Sequence, residues 1–209
     1  PKLLGDDEDG VFLCGYGGAV GANLARMAGE LVDEWPAFAQ GMIEAGPDSM
    51  DYPDAKFAAT DLYRALHEGL LIIVSQKLGR PLGDGPKDGK ANRAESPTSE
   101  RSLRNIEHNL TGLFAIYDGK WGDTGEEGKG LSALIDSSLL DRSFRLNWQT
   151  MSDGLDQLPA SIVELLDQPD GYQKLSDFAD QVSFVNTLVE GDVGGTTQLG
   201  GGFNALDGD

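Results

Sequence analysis

Apolar side chains recur at three- and four-residue steps along most of the chain. Leu24, Met27, Ala28, Leu31, Val32 and Trp35 follow that rhythm, which is the period of a helix with one buried face. Just upstream, the apolar run Val11-Phe12-Leu13 leads into "CGYGGAVGANLARMAGEL". Strand, glycine loop, helix is how a dinucleotide-binding unit begins. The continuation argues against one. No second strand with a terminal acid follows, only the turn-rich linker "EAGPDSMDYPD". Gly15, Gly17, Gly18 and Gly21 therefore fall at a helix start. Each costs about 0.5–1 kcal/mol there, and close approach of another helix is the expected compensation.

The same rhythm predicts four more helices. One runs from about Asp54 to Leu78 with Phe57, Leu62, Leu66, Leu70, Ile73 and Val74 on its stripe, closed by Pro81 and Gly83. The loop "GDGPKDGKANRAESP" precedes a helix from about Ser99 to Tyr117, with Leu103, Ile106, Leu110, Leu113, Phe114 and Tyr117 inward. After the loop "KWGDTGEEGKG" and a short helical turn at "LSALID", a long run covers Leu139 to Leu166, where Pro159 should break it. The last spans Tyr172 to about Val189, ahead of a glycine-rich tail. No strand pattern and no solenoid repeat appears. The expected fold is all-α: long helices in bundle packing, one helical domain over 1–209, with the first helices and link in 1–83 and a C-terminal bundle in 84–209.

Composition narrows the function classes. The 209 residues are 39% hydrophobic and 24% charged, with a net charge of −19. That describes a globular chain whose surface repels nucleic acid and anionic lipid. No apolar run reaches the roughly 20 residues of a membrane helix, and "PKLLGDDEDG" does not read as a signal peptide. The single cysteine, Cys14, lies among apolar residues and glycines and is expected to be a small buried thiol.

Candidate chemistry is sparse. His67 and His108 each have a glutamate next in sequence, on a different helix face, and neither forms His-Glu-x-x-His. The acidic stretches "DDED" and "DGD" lack the layout of a calcium loop. No catalytic residue and no metal-ligand set emerges. The third helix is more informative: beside its core stripe lie Ser102, Asn105, Asn109, Gly112 and Ile116. Two asparagines one turn apart, next to a glycine, suggest close contact with another element or a small polar ligand. Burial would make Asn109→Leu and Gly112→Leu each cost about 1–3 kcal/mol.

The segments "ESPTSERSLRNIEHNLTGLFAIYDGKWG", "GKGLSALI" and "GFNALDGD", in that order, resemble the second half of imelysin-family proteins, also called peptidase family M75. "VSQKLGRPLGDG" is similar to the family's link into that half, and Trp35 matches its habit. The resemblance covers most of residues 11 to 209. It implies a bacterial protein of the periplasm or outer membrane, built of related helical bundles and concerned with acquiring iron or another divalent metal. An iron-uptake partner protein and a metallopeptidase activity are also family associations. The family's Gly-x-His-x-x-Glu motif is not matched: the frames read Ala65, His67, Leu70 and Ile106, His108, Thr111. The resemblance places that motif ahead of this stretch. Binding of a metal ion or small polar ligand is thus the leading expectation, with a peptidase and a purely structural or partner-binding protein as rivals. Glu95 and Ser99, upstream of the stripe, and Asn204 and Asp207, in the tail, complete the candidate set with Ser102, Asn105, Asn109 and Gly112.

Overall fold

The computed structural model describes residues 8–120, 128–159 and 161–199, with side chains from residue 10 onward. Its described elements are helical, and no strand occurs among them. The candidates Asn204 and Asp207 lie outside the described residues. The chain divides into two compact units, residues 1–58 and 59–209.

The first unit contains one long helix, α1 (Glu8–Ile43), about 54 Å in length at 1.5 Å per residue. It takes in Val11-Phe12-Leu13 as helix and passes through Pro36 without ending. The glycines stand inside α1, and the expectation of a close neighbour fails. A Cβ added at Gly15, Gly17, Gly18 or Gly21 would meet nothing within 4 Å. Cys14 is likewise exposed rather than buried, because the apolar residues around it are themselves exposed. After α1 a turn forms as Gly46 N–H donates to the Tyr52 carbonyl at 2.8 Å and Tyr52 N–H to Ser49 Oγ at 3.0 Å. Asp54 Oδ1 then accepts the Phe57 N–H at 2.9 Å, capping the next helix.

That helix, α2 (Ala55–Ile72), crosses into the second unit and passes without a break into a π-helical stretch, Ile73–Leu78, and the short α3 (Gly79–Leu82). The second unit continues with α4 (Ser102–Asp118), α5 (Ser138–Asp156), α6 (Ile162–Leu166), α7 (Gly171–Leu188) and α8 (Gly194–Thr197). The "LSALID" turn is a 3-10 turn at Leu131–Leu134. The long run at 139–166 is broken near Pro159 as expected, and Ser161 caps the restart by accepting the N–H groups of Val163 and Glu164.

One core unites this unit. Leu66, Leu70 and Ile73 meet Leu103, Ile106, Leu110 and Tyr117 of α4, Phe144, Trp148 and Met151 of α5, and Leu175, Phe178 and Val182 of α7. The stripe expected on α2 is rotated at its start. Phe57 and Leu62 are exposed while Tyr63 and Leu66 are buried, because the face that joins the core runs through Tyr63, Leu66, Leu70 and Ile73. Glycine permits the tightest crossings. A Cβ on Gly69 would lie 2.5 Å from Leu113 Cδ2, and one on Gly171 would overlap the Leu165 carbonyl oxygen. Gly119, with φ +78°, ends α4 in the left-handed conformation that side chains resist, and its N–H closes on Ala115 O at 2.8 Å.

Candidate functional site

Four of the sequence candidates gather where the loop after α3 enters α4. Ser102 is buried in the first turn of α4 and its Oγ accepts the Ser96 N–H at 3.2 Å. Asn105, one turn on and half-buried, donates from Nδ2 to Ser96 Oγ, also at 3.2 Å. Ser99 Oγ approaches the Ser96 carbonyl at 3.5 Å. Glu95, next to Ser96, accepts from Lys77 Nζ at 2.8 Å, with Lys77 arriving from the π-helical stretch. Glu100, between them, has φ +56°, a sparsely used backbone for a residue with a side chain. A polar shelf results: hydroxyls, one amide and a carboxylate held by an ammonium.

The shelf does not extend along the whole predicted stripe. Asn109 is exposed and Gly112 half-buried, since the helix face they share turns from the loop toward solvent. Ser96 organises the shelf and was not among the sequence candidates. Its signal was faint, one serine of "ESPTSERS".

A second polar cluster, at the far end of α4, also escaped the sequence reading. The Tyr117 hydroxyl donates to Asp141 Oδ1 at 2.8 Å, and Arg145 Nε bonds both oxygens of Asp141 at 3.0 Å. Arg145 also pairs with Asp118 and lies 5.5 Å from the Tyr117 ring centroid. Burial, then the bond to Asp141, raise the Tyr117 pKa well above its usual 10.0. Tyr63 is raised too, first by burial and then by the Glu190 carboxylate. Tyr117 and Asp118, bonded to Asp141 and Arg145, tie α4 to α5. The available signal was the i,i+4 spacing of Asp141 and Arg145 on a predicted helix.

The histidines stay apart from both clusters. His67 is half-buried with its ring beside Tyr63. His108 is exposed on the rim of a groove of about 480 Å³ between α4 and the end of α5, with Arg104 Nε 3.5 Å from its Nε2. Among the described residues no three His, Cys, Asp or Glu side chains are grouped to hold a metal ion. No described helix is long and apolar enough to cross a membrane.

The helical architecture and these α4 segments agree with a family comparison: the model for imelysin, peptidase M75, matches residues 3–186. The chain belongs to the imelysin family. Within it, the chain is similar to Iron-regulated protein A of Synechococcus elongatus, 30% identical over 107 residues. That alignment covers 48% of this chain and 29% of the relative. No solved structure matches the chain. In this imelysin-family chain the matched region contains the shelf, the Tyr117 cluster and both histidines, but neither histidine has the Gly and Glu of the family's motif.

Proposed function

We propose that this imelysin-family chain serves iron acquisition at the bacterial envelope, in the periplasm or at the outer membrane, and that it acts by binding rather than by cleaving peptides. Iron in this reading is cargo. Family membership together with the likeness to Iron-regulated protein A carries the proposal. The shelf at the start of α4 supports it chemically. Hydroxyl, amide and carboxylate oxygens suit a hard cation that keeps much of its hydration or its chelator. A peptidase of this family would need a metal with an open position and a general base near its water. The donor set among the described residues does not fit such a centre, so no hydrolytic step can be written through them.

Calorimetric titration of the chain with ferric citrate tests the reading. Saturable binding is expected, weakened roughly tenfold (about 1.4 kcal/mol) by Asn105→Leu. The same preparation, supplied with zinc or ferrous ion, should leave a peptide library uncut. Chelator-sensitive cleavage, or no binding of ferric citrate, would overturn the proposal.

A further inference from the structure

The groove of about 480 Å³ between α4 and the end of α5 is of small-molecule size, and every residue that lines it belongs to the second unit. Its floor is apolar. Leu103 and Leu155 are buried core residues, and Leu158 packs half-buried against them. The floor is therefore held in place by the core. The rim is charged: α4 brings Arg104, Glu107 and His108, and α5 brings Asp156, its last residue.

Arg104 and Glu107 stand three positions apart on one helix. That spacing puts their Cβ atoms about 5–6 Å from each other and supports ion pairs. These two do not pair. Arg104 Nε is directed at His108 Nε2, 3.5 Å away, and Arg104 enters no ion pair among the described residues. The terminal nitrogens of its guanidinium are left for a carboxylate, which such a fork grips with two parallel bonds. Glu107, beside it, is left for a cation. Asp156 adds a second negative charge at the C-terminal end of α5, whose last turn contains no basic residue. The partial negative charge of a helix C-terminus favours a cation at that same end.

The groove thus sets three conditions on one ligand: a carboxylate, an ammonium close to it, and an apolar group. A metal ion meets none of them, and the rim lacks a cluster of side chains to ligate one. A simple anion or amine would use only half of the rim. An α-amino acid bears its carboxylate and ammonium on one carbon, as the neighbouring Arg104 and Glu107 require, and its side chain can lie on the leucines. We propose that this groove binds a free α-amino acid with an apolar side chain of the leucine or phenylalanine kind. Arg104 takes the carboxylate, Glu107 and Asp156 take the ammonium, and Leu103, Leu155 and Leu158 take the side chain. The site is distinct from the polar shelf and uses no iron, so its test is independent of the iron reading.

Calorimetric titration of the chain with L-leucine at neutral pH should show saturable binding. Isocaproate, which lacks the ammonium, and leucinamide, which lacks the carboxylate, should each bind at least about tenfold more weakly. Arg104→Leu should weaken L-leucine by about tenfold or more. Asp156→Asn should weaken L-leucine without weakening isocaproate. Both side chains are exposed, so the thermal melts of the two variants should match the wild type. The chain has two histidines, His67 and His108. Adding L-leucine should shift the imidazole resonances of His108, on the rim, and leave those of His67 unmoved. Absence of saturable binding with both L-leucine and L-phenylalanine at millimolar concentration would overturn the proposal. So would equal binding of isocaproate or leucinamide, a response at His67 rather than His108, or wild-type affinity in Arg104→Leu.

Discussion

The Tyr117 hydroxyl is fully enclosed and spends its proton on Asp141 at 2.8 Å. Its ring packs 4.0 Å, centroid to centroid, from Phe144. Because its folded-state pKa is raised above 10.0, the folded form holds a proton that unfolded tyrosine releases. That contribution is present in full below about pH 10 and is lost as pH rises through the folded value. Alkaline melts should therefore fall more steeply for the wild type than for Tyr117→Phe. The substitution should cost about 1 kcal/mol at neutral pH, one net hydrogen bond. Equal alkaline slopes would refute this. Midway along α4, exposure revises the expectation for Asn109. Asn109→Leu should change stability by no more than about 0.5 kcal/mol. Ser102→Ala, which strands the Ser96 N–H, should cost about 1–3 kcal/mol in the same denaturant titration.

At the scale of elements, glycine has two opposite roles. In α1, Gly15 faces open space, so Gly15→Ala should add about 0.5–1 kcal/mol of helix stability. In α7, Gly171 is where the chain turns past α6, and a Cβ would overlap a backbone oxygen rather than a movable side chain. Gly171→Ala should cost about 1–3 kcal/mol through forced backbone displacement. Melting temperatures of the two variants moving the same way would contradict this contrast. The sequence marks Gly171 only as the end of the turn "DQPDG"; its contact with the Leu165 carbonyl shows in the packing alone. The two π-helical stretches, Ile73–Leu78 and Val189–Val193, each continue a long α-helix. The stripe of α2 runs on through the first without signalling the change of pitch.

For the whole molecule, a net charge of −19 opposes compaction by self-repulsion. Adding sodium chloride at neutral pH should raise the melting temperature until the repulsion is screened. A melting temperature that falls with salt would show that local ion pairs such as Arg145–Asp118 outweigh the global term. The same charge shaped the functional reading, since it disfavours nucleic acid and suits cationic cargo.

The sequence by itself determined the all-α class, most of the helix positions, the break at Pro159 and the family. It did so because a 3.6-residue apolar period and a proline act locally. It also placed Ser102, Asn105, Ser99 and Glu95 near one another, since they lie within a single loop-to-helix stretch. What it left open depends on contacts between distant segments. Tyr117 and Asp141 are 24 positions apart, and no local pattern announces a bond across two helices. The stripe Ser102–Asn105–Asn109 has one periodicity, yet its first member is buried and its last exposed, because the loop carrying Ser96 covers only the start of α4. Likewise the apolar stripe of α1 reads in sequence like any core-facing helix. Burial is a property of what packs against a face, as α2, α5 and α7 pack against that of α4, and periodicity records only that the face exists.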